Sequence, residues 1–274
     1  MKSILITGCS TGIGYHCAKE LQKSGYKVIA SCRKNEDVVR LSEEGLTCIK
    51  LDLADQTSIE QGFKTALDMC NGQLDVLFNN GAYGQPGAVE DLATDTLRAQ
   101  FEVNFFAWHH LTNLAIKHMR STGHGRIIHN SSVLGFVALP YRGAYNASKF
   151  ALEGLTDTLR MELADTNIHI SLIEPGPIAS KFRENAKQAF IKNISIEQSA
   201  HNDNYRIQLN RLESQTAPQK FTLGPEAVLE KLLHAMNAEK PKPRYYVTFP
   251  TYFMGVMRRI LSTRLLDKIL IKNR

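Results

Sequence analysis

Residues 7–14 read Thr7-Gly8-Cys9-Ser10-Thr11-Gly12-Ile13-Gly14. They follow a short apolar run over 2–7, which reads as a buried strand. They precede residues 13–24, whose apolar side chains recur at helical spacing until Gly25. Between a strand and a helix, the three glycines serve a tight turn, close approach of backbone to phosphate, and close packing of helix on strand. The free N–H groups at the helix start then favour a pyrophosphate. The spacing is G-x-x-x-G-x-G rather than the commoner G-x-G-x-x-G, and an ordinary strand-to-helix turn is the competing reading.

Working outward, further apolar runs cover 27–32, 47–53, 74–78, 125–130 and 168–174, with a late one over 244–249. Helical patterns over 58–69, 96–119 and 145–163 alternate with them. This order predicts an α/β fold: a Rossmann-type doubly wound parallel sheet with helices on both faces, built by right-handed crossovers. A chain of 274 residues fits one such domain, 1–274. Residues 183–222 are polar and read as a variable substrate loop, with too little apolar content for a core of their own. Gly224-Pro225-Glu226 starts another helix. Residues 251–274 form a basic amphipathic tail.

Composition excludes several classes. Hydrophobic residues make up 43% and charged residues 22%, which rules out a disordered or collagen-like chain. No apolar run is long enough to span a bilayer. The chain passes from Met1-Lys2-Ser3 straight into Ile4-Leu5-Ile6, so no secretory signal is expected. The five cysteines, Cys9, Cys17, Cys32, Cys48 and Cys70, form no C-x-x-C pair; free thiols in a reducing cytoplasm and no metal site are expected. The net charge is +6, but nine of the 33 basic residues and one of the 27 acidic ones fall in 240–274. The rest, with 24 basic and 26 acidic residues, is nearly neutral. That placement argues against a nucleic-acid partner.

The residues that carry chemistry follow the strands. The second strand ends Ser31-Cys32-Arg33-Lys34, with no acid where an NAD-selective fold grips the ribose 2′-hydroxyl. The first acid, Glu36, falls on the next helix. Arg33 suits a 2′-phosphate instead, so NADP(H) is the expected cofactor. Tyr145 and Lys149 stand four apart, on one helix face. An ammonium beside a phenol favours the phenolate, so the pair suits proton exchange with an alcohol or carbonyl. Ser132 follows the fifth strand, at the carboxyl edge where such sheets bind ligands. Asn104 is an amide inside an apolar helix and needs a buried partner or a site.

Taken together, these residues resemble the short-chain dehydrogenase/reductase family, in its single-domain form. The matching pieces are Thr7-Gly8-x-x-x-Gly12-Ile13-Gly14, Asp52-Leu53, Asn79-Asn80-Gly81-Ala82, Asn104, Ser132, Tyr145-x-x-x-Lys149 and Pro175-Gly176-Pro177-Ile178. The resemblance implies a nicotinamide-dependent oxidoreductase. Tyr145 would be the acid–base, Lys149 would lower its pKa and bind the nicotinamide ribose, and Ser132 would hold the substrate oxygen. Asn104 would support a proton-relay water. Gly8, Ser10, Thr11, Gly12, Ile13 and Gly14 would cradle the pyrophosphate. Asp52 and Leu53 would contact adenine, Asn80 and Gly81 would lie beside the adenosine ribose, and Pro175, Gly176 and Ile178 would face the nicotinamide. One departure stands out: the family usually has Ala-Gly where this chain has Gly81-Ala82. The branch that looks nearest holds hydroxysteroid and retinol dehydrogenases and bacterial NADP-dependent aldehyde reductases.

The expected substrate is a small apolar carbonyl or alcohol. The alternative is an NADP(H)-sensing regulatory protein on the same fold, which would need no Ser–Tyr–Lys set. The helical pattern over 101–119, with Phe101, Phe105, Phe106, Trp108, Leu111 and Leu114, carries more apolar surface than one side of a sheet needs and predicts a homo-oligomer, a dimer or tetramer. Two readings of the tail stand side by side: short helices packed on the domain, or a peripheral contact with an anionic membrane.

Overall fold

A computed structural model describes residues 1–213 and 221–272. Strands β1 (Ser3–Ile6), β2 (Lys27–Cys32), β3 (Cys48–Lys50), β4 (Val76–Asn79), β5 (Gly125–Asn130), β6 (Ile168–Glu174) and β7 (Arg244–Tyr246) form one sheet in the order β3-β2-β1-β4-β5-β6-β7. Every pairing is parallel. Helices α1 (Gly12–Lys23), α2 (Asn35–Glu43), α3 (Gln56–Met69), α4 (Thr94–Phe101), α5 (Ala107–Thr122) and α6 (Gly143–Glu162) join the first six strands. After β6 come α7 (Phe182–Asn193) and α8 (Asn202–Glu213), and α9 (Glu226–Asn237) leads to β7. The chain then runs through α10 (Phe249–Ile260) and α11 (Thr263–Ile271).

Both faces of the sheet are covered, as parallel strands require. Along β1, Ile4 and Ile6 enter one core with α1 and α9, while Leu5 enters the opposite core with α3 and α5. This is the period of two that strand geometry imposes. The helix ends follow local chemistry: Asp55 Oδ1 accepts from Thr57 N at 2.9 Å to cap α3, and Gly123 ends α5 in the left-handed region at φ +81°. Strand order reverses between β1 and β4, so a crevice opens beyond their carboxyl ends.

Four expectations need correction. Residues 183–222 are not a loop, for α7 and α8 run through the segment; residues 214–220 lie outside the described residues. Phe190, Ile194 and Tyr205 bury against Ala88 in a small core of their own. Asp91 Oδ2 accepts from Ser199 Oγ at 2.5 Å and from the Tyr205 hydroxyl, which itself accepts from Ala88 N at 2.8 Å. A few large anchors and one half-buried polar hub do the work expected of a longer apolar stripe. The pattern over 96–119 is two helices: a π-helical turn, Glu102–Phe106, separates α4 from α5. Such turns recur at functional sites. The run over 47–53 yields only the three-residue β3. The late run over 244–249 yields only β7, because Phe249-Pro250 opens α10.

Candidate active site

The glycine loop is glycine by necessity. Gly8 has φ +72°, and a Cβ there would lie 2.4 Å from Gly81 Cα; one on Gly14 would lie 2.4 Å from the Gly8 carbonyl oxygen. Thr7 and Asn80 lock the turn. The Thr7 hydroxyl accepts from the N–H groups of Asn80 and Gly81 at 2.8 and 2.9 Å. Asn80 Nδ2 donates to Thr7 O at 2.9 Å, and its Oδ1 accepts from Asn130 Nδ2 at 2.8 Å. Sequence reasoning missed Thr7 and Asn130, whose only signal is a polar residue at the end of an apolar strand. The exchange of Ala-Gly for Gly81-Ala82 has a physical reason: Gly81 is the residue that meets Gly8.

Three cavities meet along the carboxyl edge of the sheet. The first, about 610 Å³, runs from Ser10 and Thr11 to Arg33, Lys34, Asp52 and Leu53. It shares Gly8, Gly81 and Ala82 with a second of about 290 Å³, lined by Ser132, Tyr145, Lys149 and the Pro175–Ile178 turn. The second shares Ser132, Tyr145 and Phe182 with a third of about 250 Å³, walled mainly by Val133, Leu134, Leu139 and Pro86. Glycine cradle, long polar trough and apolar end chamber thus stand in one row. They fit an extended dinucleotide followed by an apolar substrate.

Besides the expected Asp52, an acid from the helix after β2 lines the first cavity. It is Asp37 rather than Glu36, and Arg40 occupies its carboxylate at 2.9 Å. Arg40 also donates to Ser10 O at 2.7 Å, bracing the glycine loop from α2. Arg33 and Lys34 remain exposed at the cavity rim.

The reacting groups sit where the second and third cavities join. Ser132 Oγ accepts from Leu134 N at 3.1 Å and lines the same two cavities as Tyr145, near enough to hold the phenol's pKa rise in check. Its neighbour Ser131 is turned away, donating to Glu153 Oε1 at 2.5 Å. The geometry therefore chooses between two adjacent serines. Lys149 is fully buried; its Nζ donates to Asn130 O at 2.8 Å and stands 4.1 Å from the centre of the Trp108 ring. Beneath it, His129 is held neutral, its pKa pushed down to about 3 by burial and by Lys149.

Burial dominates both titrations. It pushes the Tyr145 hydroxyl up to about 12, with Ser132 opposing. It brings the Lys149 ammonium down to about 7, with Glu153 opposing. The expected lowering of the Tyr145 pKa by Lys149 is not met in the protein alone. The ammonium lies 5.7 Å from the phenol ring centre and is itself partly discharged at neutral pH.

Asn104 is the one expected catalytic residue that does not line these cavities. Its Oδ1 accepts from Tyr83 N at 3.2 Å and its Nδ2 donates to Tyr83 O at 2.8 Å. Both polar atoms of the amide are thus committed to bracing the segment after β4. The free thiols are as expected for all five cysteines, and no cluster able to hold a metal exists among the described residues.

A family model described as short chain dehydrogenase matches residues 2–190. The chain belongs to the short-chain dehydrogenase/reductase family. Its members are oxidoreductases, and the seven-stranded parallel sheet described above is their fold. The chain is 41% identical over 269 residues to the uncharacterized oxidoreductase YbbO of Escherichia coli (strain K12), covering 98% of this chain and 94% of that one. It is 32% identical over 257 residues to human 17-beta-hydroxysteroid dehydrogenase type 1, covering 89% and 77%. A solved short-chain dehydrogenase from Streptomyces avermitilis superposes with a TM-score of 0.76 at 25% identity, over 94% of this chain and 93% of that one.

Proposed function

We propose that this family member is an NADP(H)-dependent reductase of apolar aldehydes or ketones, with steroid- and retinoid-like carbonyls within its range. One observation carries the reading: Tyr145, beside Ser132 and four residues from Lys149, stands where a dinucleotide-shaped trough meets an apolar chamber. Likeness to a hydroxysteroid dehydrogenase supports the substrate class.

Bound in the trough, NADP(H) supplies the hydride. Gly8, Ser10, Thr11, Gly12, Ile13 and Gly14 hold its pyrophosphate, Asp52 and Leu53 its adenine, and Asn80 and Gly81 its ribose. Pro175, Gly176 and Ile178 face the nicotinamide. Arg33 is the free cation for the 2′-phosphate, while Asp37, neutralised by Arg40, neither repels that phosphate nor is free to grip a 2′-hydroxyl. Ser132 orients the substrate oxygen. Tyr145 donates the proton that the new alkoxide takes. A hydroxyl pushed up to about 12 keeps its proton at neutral pH and so has one to donate. Lys149 holds the ribose. Asn104 positions Tyr83, and the relay water falls to its backbone neighbourhood. A homo-oligomer through α5 and α6 accounts for Phe106 and Met161, both at least half exposed.

The test is a panel of soluble aldehydes, steroid ketones and retinals with NADPH and NADH in turn. Turnover of apolar carbonyls with NADPH is expected. Failure of every carbonyl while the protein binds NADPH overturns the enzymatic reading in favour of a sensor.

A further inference from the structure

A surface helix normally turns its apolar stripe to the core. Helix α10 does the opposite. It buries Thr251 and Gly255. At Gly176 a Cβ would reach Thr251 Oγ1 at 3.0 Å, and at Gly255 one would reach the Tyr246 ring at 2.6 Å, so small residues bring the helix hard against the nicotinamide turn and β7. Its large apolar residues, Phe249, Tyr252, Phe253, Val256 and Ile260, recur at i, i+3, i+4, i+7 and i+11. They form one stripe, and each is between 40% and 66% exposed. The Phe249 and Phe253 rings stack at 6.1 Å, which makes the stripe continuous. Helix α11 exposes two further apolar side chains, Leu265 and Ile271, both about half exposed. Exposed Arg259, Arg264 and Lys268 accompany the stripe, while Arg258 turns to the other side of α10, donating to Phe136 O and lying over the Phe150 ring.

We propose that the outer face of α10 and α11 lies on an anionic lipid bilayer, in the plane of the headgroups. Charge decides the occupant. Along the outer face of α10 and α11 the exposed cations Arg259, Arg264 and Lys268 outnumber one exposed acid, Asp267. A second copy meeting this face about a two-fold axis would set the same cations against each other. An anionic surface pairs with all of them, and aromatic rings beside arginines suit headgroup depth. No helix among the described residues is long and apolar enough to cross a membrane, so the contact is peripheral.

The inner side of the same helices faces the apolar chamber. Met254, Leu266 and Leu270 pack against Leu134 and Val137, and Leu134 lines the chamber. One layer of helix thus separates lipid from the substrate site. The bilayer contact itself does not depend on which substrate the site takes.

Flotation of the full chain with phosphatidylglycerol–phosphatidylcholine vesicles tests it, with pure phosphatidylcholine vesicles as the control. Binding to the anionic vesicles at low salt, weakening as salt rises, is expected. Val256→Glu with Ile260→Glu should lower partitioning about tenfold or more. Reduction of a water-soluble aldehyde should stay within about twofold, because both positions are exposed. Arg264→Gln with Lys268→Gln keeps the apolar stripe and should weaken binding to anionic vesicles alone. A full chain that ignores anionic vesicles at low salt overturns the proposal. So does binding by both double variants that is undiminished from the parent. Loss of a dimer in Val256→Glu with Ile260→Glu, without vesicle binding by the parent, assigns the stripe to a second copy and overturns it too.

Discussion

Gly8 and Gly81 stand face to face, so close that a methyl group on the first would lie 2.4 Å from the Cα of the second. The contact joins the glycine turn after β1 to the segment after β4, across the point where strand order reverses. Gly8→Ala should therefore strain the backbone at φ +72° and push two strand ends apart. A loss of roughly 2–4 kcal/mol is expected, from the left-handed conformation and overpacking together. Denaturant unfolding measures it, and NADPH affinity should fall with it.

Tyr145→Phe should fold with an unchanged melting temperature and lose at least about 100-fold in turnover, since it deletes the transferable proton and little else. Lys149→Ala should lose turnover and cofactor affinity together, and also leave Asn130 O without its donor. Steady-state kinetics beside a fluorescence titration separate the two variants. Tyr145→Phe with near-normal turnover would sink the mechanism.

Cofactor choice rests on Arg33. Arg33→Asp should weaken NADPH by removing a charge-assisted contact and adding repulsion at the 2′-phosphate, while NADH binding holds or improves. Paired affinity measurements decide it, and an unchanged ratio removes Arg33 from the argument.

Behind the site, one guanidinium serves three carboxylates. Arg244 donates to Glu174 Oε1 at 3.1 Å, to Glu153 Oε2 at 3.2 Å and to Asp157 Oδ2 at 2.7 Å. Burial, with Glu153 adding repulsion, pushes Glu174 up to about 9. A carboxyl raised this way stabilises the fold fully below its unfolded pKa of 4.5, and that contribution drains away as pH climbs towards 9. Glu174→Gln should flatten this dependence: wild type loses melting temperature relative to the variant between pH 5 and about 9. Parallel pH profiles would refute the assignment.

Sedimentation tests the oligomer. Wild type at micromolar concentration should run as a dimer or larger, and Phe106→Asp should release monomers that still bind NADPH. A wild-type monomer removes α5 and α6 as an interface.

What could be read from the residues divides along physical lines. The sheet and the glycine turn were legible because Ile4, Leu5 and Ile6 are apolar on both faces and Gly8, Gly12 and Gly14 mark a turn few other residues can make. Ser132, Tyr145 and Lys149 were legible as a set. Helices α7 and α8 were not, because Tyr205 fastens them through Asp91 and Ala88, more than 100 positions away. The Tyr145 acidity was misjudged because neighbours in sequence announce a nearby charge, whereas burial depends on the whole fold. Asn104 gave a correct sign of a buried partner but not its name, Tyr83.

Trp108 is the chain's single tryptophan. It is fully buried, and Lys149 Nζ stands 4.1 Å over its ring. The protein therefore carries an optical reporter beneath its own reacting centre. Its emission has one source, senses the charge on Lys149 directly, and overlaps the absorption of a reduced nicotinamide. Cofactor arrival and lysine titration can each be followed in the unlabelled wild-type chain.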